Sequence, residues 1–456
     1  MLLRLSCAFF MLFCVAGCPG HSPSLGMLPS PSAAALVRPA AGSTGSTGKI
    51  KHVIVIVQEN RTVENLFAGF HGANAPTYGY AFHNGHRVQV TLHQTTYETD
   101  PNLPHTWQDA IADWDNGKMD GFHTGRGQHF GAYAFLDHAE IAPYWAMAKQ
   151  YVLADEMFPT EFGGSYEAHI MAVAGNDDIT ATQALVNFPT HAPNDCDSPP
   201  GTKSSLVDSN RVVGLGNGPF PCYTQFNTMA EVLDAAHVSW KYYIERHLNG
   251  GIYSPFEAIS YVRYGQDWNA DVIAPETTVL SDIAHRKLAA VSWVTPDHDD
   301  ADLPGVKSDK GPSWVTSIVN AIGQSRYWDS SAIVIIWDEW GGWYDNAPPP
   351  QPDFRGLGIR VPCIIISPYA RIGRAGKGYI SHTQYEYASI LRFIEQSFGL
   401  PPIGPPSQGY TDSRAASLSD AFNFTQSPRS FTPFQAKYPG SYFMHKPPSN
   451  APLDDE

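Results

Sequence analysis

Five short runs of apolar residues stand out along the chain, and none of them alternates regularly between apolar and polar positions. They cover residues 52–57, 238–243, 288–294, 332–337 and 361–366. Their β-branched content and their lack of alternation are typical of strands that are covered on both faces, as in a parallel sheet. We therefore predict a buried central sheet built from these runs.

Helical periodicity lies between several of the runs. Residues 312–325 place four aliphatic side chains at spacings of three and four after Pro312 and Ser313, a start signal. Residues 385–400 repeat this spacing and end at Gly399, just before two prolines. Strands that alternate with helices predict an α/β fold, with a doubly wound, mostly parallel sheet and helices on both faces.

Composition divides the chain into segments. Residues 1–18 carry one Arg, a short apolar stretch and then small residues, which is typical of an export signal. Residues 19–48 are rich in Pro, Ser, Ala, Gly and Thr and predict a flexible tether. We expect one domain over residues 49–430, with a loop-rich insertion at about 176–230, and a Pro-rich tail over residues 431–456.

The cysteines indicate the cellular compartment in which the chain works. The sequence ending at Cys18 resembles a bacterial lipoprotein cleavage box, which would make Cys18 a lipid anchor, and ordinary signal cleavage nearby is the alternative. Either reading exports the chain, to the periplasm, the outer membrane or the medium.

Cys196 and Cys222 flank a loop-rich stretch, so we prefer a disulfide between them to a metal site. Cys363 lies in an apolar run and is expected to be a buried thiol.

Charge limits the partners. The formal net charge is −15, which repels phosphate backbones and anionic membrane surfaces, so the chain is not expected to bind nucleic acid. A phosphate-bearing substrate stays compatible with this charge because a bound metal ion can invert the local field. The sequence does not indicate an oligomeric state.

Two of the apolar runs continue directly into oxygen-bearing side chains. Glu59 and Asn60 follow the first run, and Asp338 and Glu339 follow the fourth. Ligands of open α/β sheets bind at the carboxyl ends of the strands, and carboxylate and amide oxygens suit Mg²⁺, Ca²⁺ or Mn²⁺. Each pair alone would be read as a solvated strand end or a helix cap. Together they predict a site for one divalent metal ion.

A serine follows a glycine pair. Gly163 and Gly164 interrupt the chain, and Ser165 then begins an apolar helical run with His169 one turn later on the same face. The free N–H groups and the dipole of a helix N-terminus favour negative charge there, as on an alkoxide or a phosphoryl oxygen. The alternative is that Ser165 is only an N-cap, the commonest use of Ser at such a position.

Taken in order, the motifs resemble those of the bacterial phosphoesterase family that includes phospholipases C and metal-dependent acid phosphatases, within the wider alkaline-phosphatase-like group. The resemblance covers roughly residues 50–430. It is carried by the segments VIVIVQENRTVENLF, LPHTWQDAIADWDNGKMDGF, GGSYEAH, VSWVTPDHDDADLPG, WDEWGGWYD, RVPCIIISPYAR and SHTQYEYASILRFIEQSFGLP.

The resemblance implies roles for individual residues. The family's metal ligands correspond to Glu59, Asn60, Asp338 and Glu339, and its nucleophile corresponds to Ser165. Asn60 would also contact the substrate.

Histidines are implicated by the same resemblance. His105 and His382 match family histidines that contact phosphate oxygens or assist the leaving group. Unaccompanied, they would be read as surface or core histidines. His169 matches a position close to the nucleophile and is expected to support substrate binding.

Two positions depart from the family pattern. Leu303 replaces an expected active-site His, and Asn346 stands where the family often has another His. His298, five residues before Leu303, could substitute for the first as a substrate-binding group, or it could be an ordinary loop histidine. These departures put protonation of the leaving group in doubt.

The sequence therefore predicts an exported, metal-dependent phosphate-ester hydrolase similar to phospholipase C, acting on a phosphate ester or a phospholipid headgroup. An acid phosphomonoesterase and a catalytically weakened phosphate-binding lipoprotein are the alternatives. We call residues 338–345, which begin with the predicted ligands Asp338 and Glu339, the metal loop. Its three aromatic residues, Trp340, Trp343 and Tyr344, could form a cage for a quaternary ammonium headgroup. Their more usual role is packing.

Overall fold

The computed structural model of the protein describes residues 48–122, 130–247, 253–449 and 451. The export signal, Cys18 and nearly all of the expected tether lie outside the described residues.

The described residues contain seventeen strands and eleven α-helices. The strands are β1 (His52–Gln58), β2 (Tyr78–His83), β3 (His86–Thr91), β4 (His93–Thr95), β5 (Ala134–Leu136), β6 (Val152–Phe158), β7 (Asp178–Thr180), β8 (Gln183–Leu185), β9 (Leu206–Asp208), β10 (Val213–Gly214), β11 (Trp240–Tyr243), β12 (Val272–Ile273), β13 (Val291–Val294), β14 (Ser331–Trp337), β15 (Val361–Ile366), β16 (Tyr379–Ser381) and β17 (Tyr385–Glu386). The helices are α1 (Val63–Phe67), α2 (Trp107–Trp114), α3 (Ala142–Gln150), α4 (Ser165–Ala174), α5 (Met229–Ala235), α6 (Ser260–Arg263), α7 (Asp267–Ala270), α8 (Thr278–Ala284), α9 (Gly311–Gly323), α10 (Tyr387–Phe398) and α11 (Gly440–His445).

A nine-stranded sheet forms the centre of the fold. Its order is β12-β11-β13-β1-β14-β15-β6-β16, and β17 also pairs with β6. All neighbours run parallel except β15, which is antiparallel to both β14 and β6. The prediction of an α/β fold with a mostly parallel sheet is confirmed, and all five apolar runs contribute strands.

One strand of the sheet runs against its two neighbours. Residues 361–366 do form a strand, but β15 runs against its two neighbours. Burial on both faces, which suggested parallel pairing, holds equally for an antiparallel strand at the centre of a covered sheet, so the apolar run could not reveal its direction. All six residues of β15 are buried.

Helices and loops cover the sheet on both faces. Successive side chains of a strand point to opposite faces, and all seven residues of β14 are buried. Helix α9 contacts α3, α8 and α11, whereas α4 contacts α5 and α10. Both helices predicted from periodicity are present, as α9 and α10.

The insertion and the tail have ordered parts. Strands β7 to β10 form a separate four-stranded sheet within the insertion. The expected disulfide joins Cys196 to Cys222, and Cys363 is buried with a free thiol, as predicted. In the tail, Phe434 and Phe443 are buried in the main hydrophobic core. Within the described residues, no helix is both long enough and apolar enough to cross a membrane.

Candidate active site

The first and fourth apolar runs form neighbouring strands. Strands β1 and β14 pair in parallel with Gln58 opposite Trp337, so the residues that follow both strands leave the sheet at the same edge. The backbone N–H of Asp338 donates to the Gln58 carbonyl at 2.9 Å. The backbone N–H of Asn60 donates to Oδ1 of Asp338 at 2.8 Å. The structure thus brings the two predicted pairs of oxygen ligands together.

Asn60 lies at the centre of this edge. Its backbone is left-handed, with φ of 52°, a conformation that Asn adopts more readily than most residues. The Nδ2 group lies 3.2 Å from Nε2 of His105 and 3.5 Å from Oγ of Ser165, and it also hydrogen-bonds Oε1 of Glu339. Its buried Oδ1 accepts no hydrogen bond within the described part of the chain. That oxygen is therefore free to meet a ligand.

Two glycines allow the loop after β14 to close on this edge. Gly341 and Gly342 have φ of 63° and 73°, in the left-handed region that favours glycine. A Cβ on Gly341 would lie 2.5 Å from the Asn60 carbonyl oxygen, and one on Gly342 would lie 2.6 Å from Cβ of Leu103. The glycine pair thus lets the loop approach both Asn60 and the segment that carries His105.

Ser165 is the first residue of α4 and is fully buried. The N-cap is Gly164, whose backbone is extended, and Oε1 of Glu167 accepts the Gly164 N–H at 3.1 Å. The alternative of Ser165 as the N-cap is therefore wrong, because that position belongs to Gly164. The Ser165 hydroxyl instead donates a hydrogen bond to the Asp338 carboxylate.

Three buried side chains next to the serine could hold a metal ion. One ligand atom each from Glu59, His169 and Asp338 lie within 4.8 Å of one another. Nε2 of His169 is 3.3 Å from Oε1 of Glu59 and 3.7 Å from Oδ2 of Asp338. His169 was expected only to support substrate binding, but the structure places it among the possible metal ligands.

The electrostatics of this cluster favour a bound cation. Burial and, after it, the neighbouring Glu59 carboxylate raise the pKa of Asp338 to about 8, while His169 opposes the shift. Two carboxylates this close in a buried site need either a shared proton or a positive ion between them. The cluster therefore fits a divalent metal ion.

His105 stands on the other side of Asn60. Its Nδ1 donates to the Leu103 carbonyl at 2.5 Å, which leaves Nε2 facing Asn60 and the Glu339 carboxylate, 3.8 Å away. Oε2 of Glu339 accepts the Gly341 N–H at 2.7 Å. The His105 ring is thus fixed in orientation, with its second nitrogen directed into the site.

The other predicted histidines have different surroundings. The side chain of His382 is 60% exposed, and its Nδ1 lies 2.9 Å from Oδ1 of the buried Asp155 on β6. His298 is half-buried, and its Nδ1 lies 3.5 Å from Oδ1 of Asp299. The contacts found for these two histidines are not with Ser165 or its neighbours.

The structure also shows the surroundings of the two residues that depart from the family pattern. Leu303 is buried, and it follows Asp302, whose carboxylate accepts hydrogen bonds from two tyrosines and a tryptophan. Oδ1 of Asn346 accepts from the buried Arg360 guanidinium at 2.9 Å, and Nδ2 donates to Asn74 at 2.9 Å. Asn346 therefore has a structural role in a buried ionic network.

The aromatic residues beside the metal loop do not form a cage. Trp340, Trp343 and Tyr344 are all buried within a second hydrophobic cluster. The indole of Trp340 donates to Asp113 at 3.1 Å, and the Tyr344 ring stacks on Tyr133 with centroids 4.6 Å apart. Packing, the more usual role of these residues, is what the structure shows.

Some contacts could not be found from the sequence. Asp155 was missed because β6 was not recognised as a strand, since Asp155 and Glu156 interrupt its apolar pattern. The arginine next to Asn60 was not assigned a role, and the structure turns it away from the site. Arg61 pairs with Asp100 at 2.5 Å and donates to the Asp302 carbonyl.

Comparisons with known proteins agree on one family. A sequence model of the Phosphoesterase family matches residues 50–401, more than half of the chain. The chain is 24% identical over 474 residues to a non-hemolytic phospholipase C of Pseudomonas aeruginosa, covering 90% of this chain and 62% of that protein. It is 23% identical over 452 residues to phospholipase C A of Mycobacterium tuberculosis, covering 85% of this chain and 80% of that protein.

Among solved structures, the chain is similar to a protein of the alkaline phosphatase superfamily from Vibrio parahaemolyticus. The identity is 9%, the TM-score is 0.38, and the match covers 82% of this chain and 72% of that one.

Proposed function

We propose that this chain, which belongs to the Phosphoesterase family, is an exported phosphate-ester hydrolase that uses Ser165 as nucleophile and one divalent metal ion. The observation that carries the proposal is the position of Ser165. Its hydroxyl lies at the N-terminus of α4, 3.5 Å from Nδ2 of Asn60 and hydrogen-bonded to Asp338, beside the cluster of Glu59, His169 and Asp338.

The first step forms a bond between Oγ of Ser165 and phosphorus. The phosphoryl group lies over the N-terminus of α4, where free N–H groups favour its oxygens. Asn60 holds the serine and the phosphoryl group in line. Ser165 gives up its proton as this bond forms, the bond from phosphorus to the ester oxygen breaks, and the departing alcohol takes up a proton. The serine then carries the phosphoryl group, which keeps its headgroup ester where the substrate is a diester. Water attacks phosphorus, the bond from phosphorus to Oγ breaks, and the serine is restored as the phosphate or phosphate monoester is released.

His105 is placed to move the proton that the departing alcohol requires. Its Nδ1 is held by the Leu103 carbonyl, so Nε2 is the nitrogen that exchanges a proton in the site. Nε2 also lies 3.8 Å from the Glu339 carboxylate. A positioned acid of this kind typically contributes about 10² to 10⁴ in rate.

The metal would be held by Glu59, Asp338 and His169, with Asn60 and Glu339 next to it. When bound, it would lower the pKa of the serine and balance the charge of the phosphoryl group. The donors are carboxylate oxygens with one imidazole nitrogen, a set that suits Mn²⁺ or Mg²⁺, and Ca²⁺ where the oxygens dominate. Because Arg61 is paired with Asp100, it does not supply this positive charge.

The substrate class is proposed from the relatives. Both relatives described above are named phospholipases C. The chain spans 62% of the length of the Pseudomonas protein, and we propose a phosphodiester with a phospholipid headgroup as its substrate. A phosphomonoester is the competing substrate that an assay must separate.

Export is supported by the cysteines. A disulfide between Cys196 and Cys222 forms and persists in oxidising compartments. Residues 1–18 have the composition of a signal, and Cys18 would provide a lipid anchor. We propose that the chain works in the periplasm, on the outer membrane or outside the cell.

The test is to trap the phosphoserine. Wild-type protein with a divalent metal is mixed with a phosphocholine diester or a phosphate monoester, quenched in acid and digested, and the peptide that contains residue 165 is weighed. We expect the peptide to carry a phosphocholine group from the diester and a phosphoryl group from the monoester, with more adduct from the diester and none in Ser165→Ala. Ser260→Ala, which changes the first residue of α6 outside the site, is the matched control and should behave like wild type. Undiminished turnover by Ser165→Ala would exclude Ser165 as the nucleophile.

A further inference from the structure

A buried tyrosine contacts the backbone of the metal loop. Tyr387 is the first residue of α10 and is 1% exposed. Its single O–H is shared between the carbonyl oxygens of Trp337 and Asp338, both of which lie within hydrogen-bond distance of the hydroxyl. These are the last residue of β14 and the first of the two acidic residues that follow it. The role of Tyr387 is not explained by the proposed chemistry, because its hydroxyl meets backbone atoms.

The two carbonyls need a donor from outside the sheet. The pairing of β14 ends at Trp337 on the side of β1 and at Ile336 on the side of β15. Beyond these points the ladders of the described strands stop, and the chain leaves the sheet. A buried carbonyl without a donor costs about 1 to 3 kcal/mol, so some group has to satisfy Trp337 and Asp338. The O–H of Tyr387, shared between the two oxygens, is the side-chain donor found there.

The position of Tyr387 is itself fixed by neighbouring elements. Strand β17, which directly precedes it, pairs with β6, and the Ala388 N–H donates to Oγ1 of Thr160 at 3.3 Å. Helix α10 packs against α4, the helix that begins with Ser165. Tyr387 therefore connects α10, which packs against the helix that begins with Ser165, to the end of β14, the strand that precedes Asp338.

We propose that Tyr387 is a positioning residue for the metal site, an inference that rests on the metal part of the proposed function. By holding the Trp337 and Asp338 carbonyls, it sets the direction in which the Asp338 and Glu339 side chains leave the backbone. Asp338 is one of the three clustered ligands, and Glu339 contacts Asn60 and His105. Loss of the hydroxyl would widen the range of ligand orientations while leaving every ligand in place.

A merely structural role makes a different prediction. If the hydroxyl contributed only to folding, its removal would lower stability and leave metal affinity unchanged in the folded protein. If it positions ligands, its removal must weaken metal binding. Loss of an outer hydrogen-bond partner of a metal ligand typically weakens metal affinity by about 10- to 100-fold.

The experiment uses Tyr387→Phe, which keeps the ring in the core. Metal-free full-length protein is titrated with Mn²⁺ alone by calorimetry, and thermal unfolding is followed in chelator. The matched control is Tyr133→Phe, since the Tyr133 hydroxyl also donates to a backbone carbonyl, that of Tyr80 at 2.6 Å, away from Asp338. We expect about 10- to 100-fold weaker Mn²⁺ binding in Tyr387→Phe and wild-type affinity in Tyr133→Phe, with comparable losses of stability in chelator.

The inference would be overturned if folded Tyr387→Phe bound Mn²⁺ with an affinity within a factor of about two of wild type, because a loss of at least about 10-fold is expected. Should that variant fold poorly, Tyr387→His keeps a ring donor and is compared at low temperature. It should bind Mn²⁺ more tightly than Tyr387→Phe, and equal affinity would also overturn the inference. The same titration separates this inference from the proposed function. If wild-type protein bound no Mn²⁺, both the metal site and the role of Tyr387 would be excluded. If wild-type protein bound Mn²⁺ and Tyr387→Phe bound it equally well, only the role of Tyr387 would be excluded.

Discussion

The carbonyl oxygen of Asn60 faces Gly341 so closely that a Cβ atom on Gly341 would lie 2.5 Å from it. Both residues have left-handed backbones, with φ of 52° and 63°. The approach brings the loop after β14 against the residue that contacts Ser165, His105 and Glu339. The geometry of the site therefore depends on the absence of a single side-chain carbon.

Substituting this glycine should damage activity more than folding. Gly341→Ala adds the clash to a backbone strain of roughly 1 to 2 kcal/mol. Asn60 must then shift, and misplacement of about 1 Å near the chemistry can lower the rate by about 10²-fold. Gly376→Ala is the control, because Gly376 also has a positive φ but a Cβ there would meet nothing within 4 Å. Equal kcat in the two variants would show that the close approach to Asn60 has no catalytic effect.

Removal of the metal should abolish turnover. Asp338→Asn replaces one of two clustered anionic ligands by a neutral amide, so we expect much weaker Mn²⁺ binding and loss of activity that excess metal partly restores. Asp113→Asn also removes a buried carboxylate, one that accepts from Trp340, and should retain metal affinity. Calorimetry and turnover after dialysis against chelator measure both effects. Full activity of metal-free wild-type protein would rule out a catalytic metal.

The central sheet was largely predictable because a short, continuous apolar run rich in β-branched residues is typical of a buried strand. Residues 332–337 and 52–57 were recognisable for this reason, and the parallel pairing of their strands accounts for the meeting of Asp338 with Asn60. Strand β6 escaped detection because Asp155 and Glu156 lie within it, and their partners come from distant segments. Charged residues that are satisfied only by tertiary contacts leave no local signal.

Which residues contact one another in the site was harder to predict than where the site lies in the fold. The spacing of His169 and Ser165 on one helix face was visible, but that face could not be oriented toward Glu59 without the packing of α4. The network around Arg360, which holds Asn346, joins residues from four separate segments. Sequence periodicity describes single elements, so contacts among several loops remain outside its reach.

The histidines should separate into two classes on substitution. His105→Ala removes the ring nitrogen that faces Asn60 and Glu339, so kcat should fall by about 10² to 10⁴ for esters with poor leaving groups. His298→Ala removes a contact with Asp299 and should leave kcat close to wild type. Steady-state rates on esters of graded leaving-group pKa measure the difference. A severe loss in His298→Ala would mean that this loop reaches the phosphate after all.

The disulfide should stabilise the insertion. Cys196 and Cys222 are separated by 26 residues, and closing a loop of this size contributes about 3 kcal/mol through the unfolded state. Cys196→Ser with Cys222→Ser should lower the free energy of unfolding by about that amount and abolish the effect of reductant on it. Cys363→Ser, which changes the buried free thiol, should leave the effect of reductant intact. Unchanged stability of the double variant would show that the bridge does not constrain the unfolded chain.

A buried carboxyl group on α10 should make the free energy of unfolding fall as the pH rises between about 4.5 and about 9. Burial and, after it, a hydrogen bond with Asp412 raise the pKa of Glu395 to about 9. The unfolded chain loses this proton near the ordinary glutamate pKa of 4.5, whereas the folded chain keeps it to about 9. Between these values the folded state binds more protons, so the free energy of unfolding falls as the pH rises, by up to about 1.4 kcal/mol per pH unit.

Glu395→Gln removes this titration and keeps a polar side chain of the same size. We expect its free energy of unfolding to decline less than that of wild type between about pH 6 and about pH 9, as measured by urea denaturation. Glu98→Gln is the control, because the Glu98 side chain is 72% exposed, and it should follow the wild-type curve. If Glu395→Gln and wild type lost stability equally over this range, Glu395 would already be ionised in the folded protein.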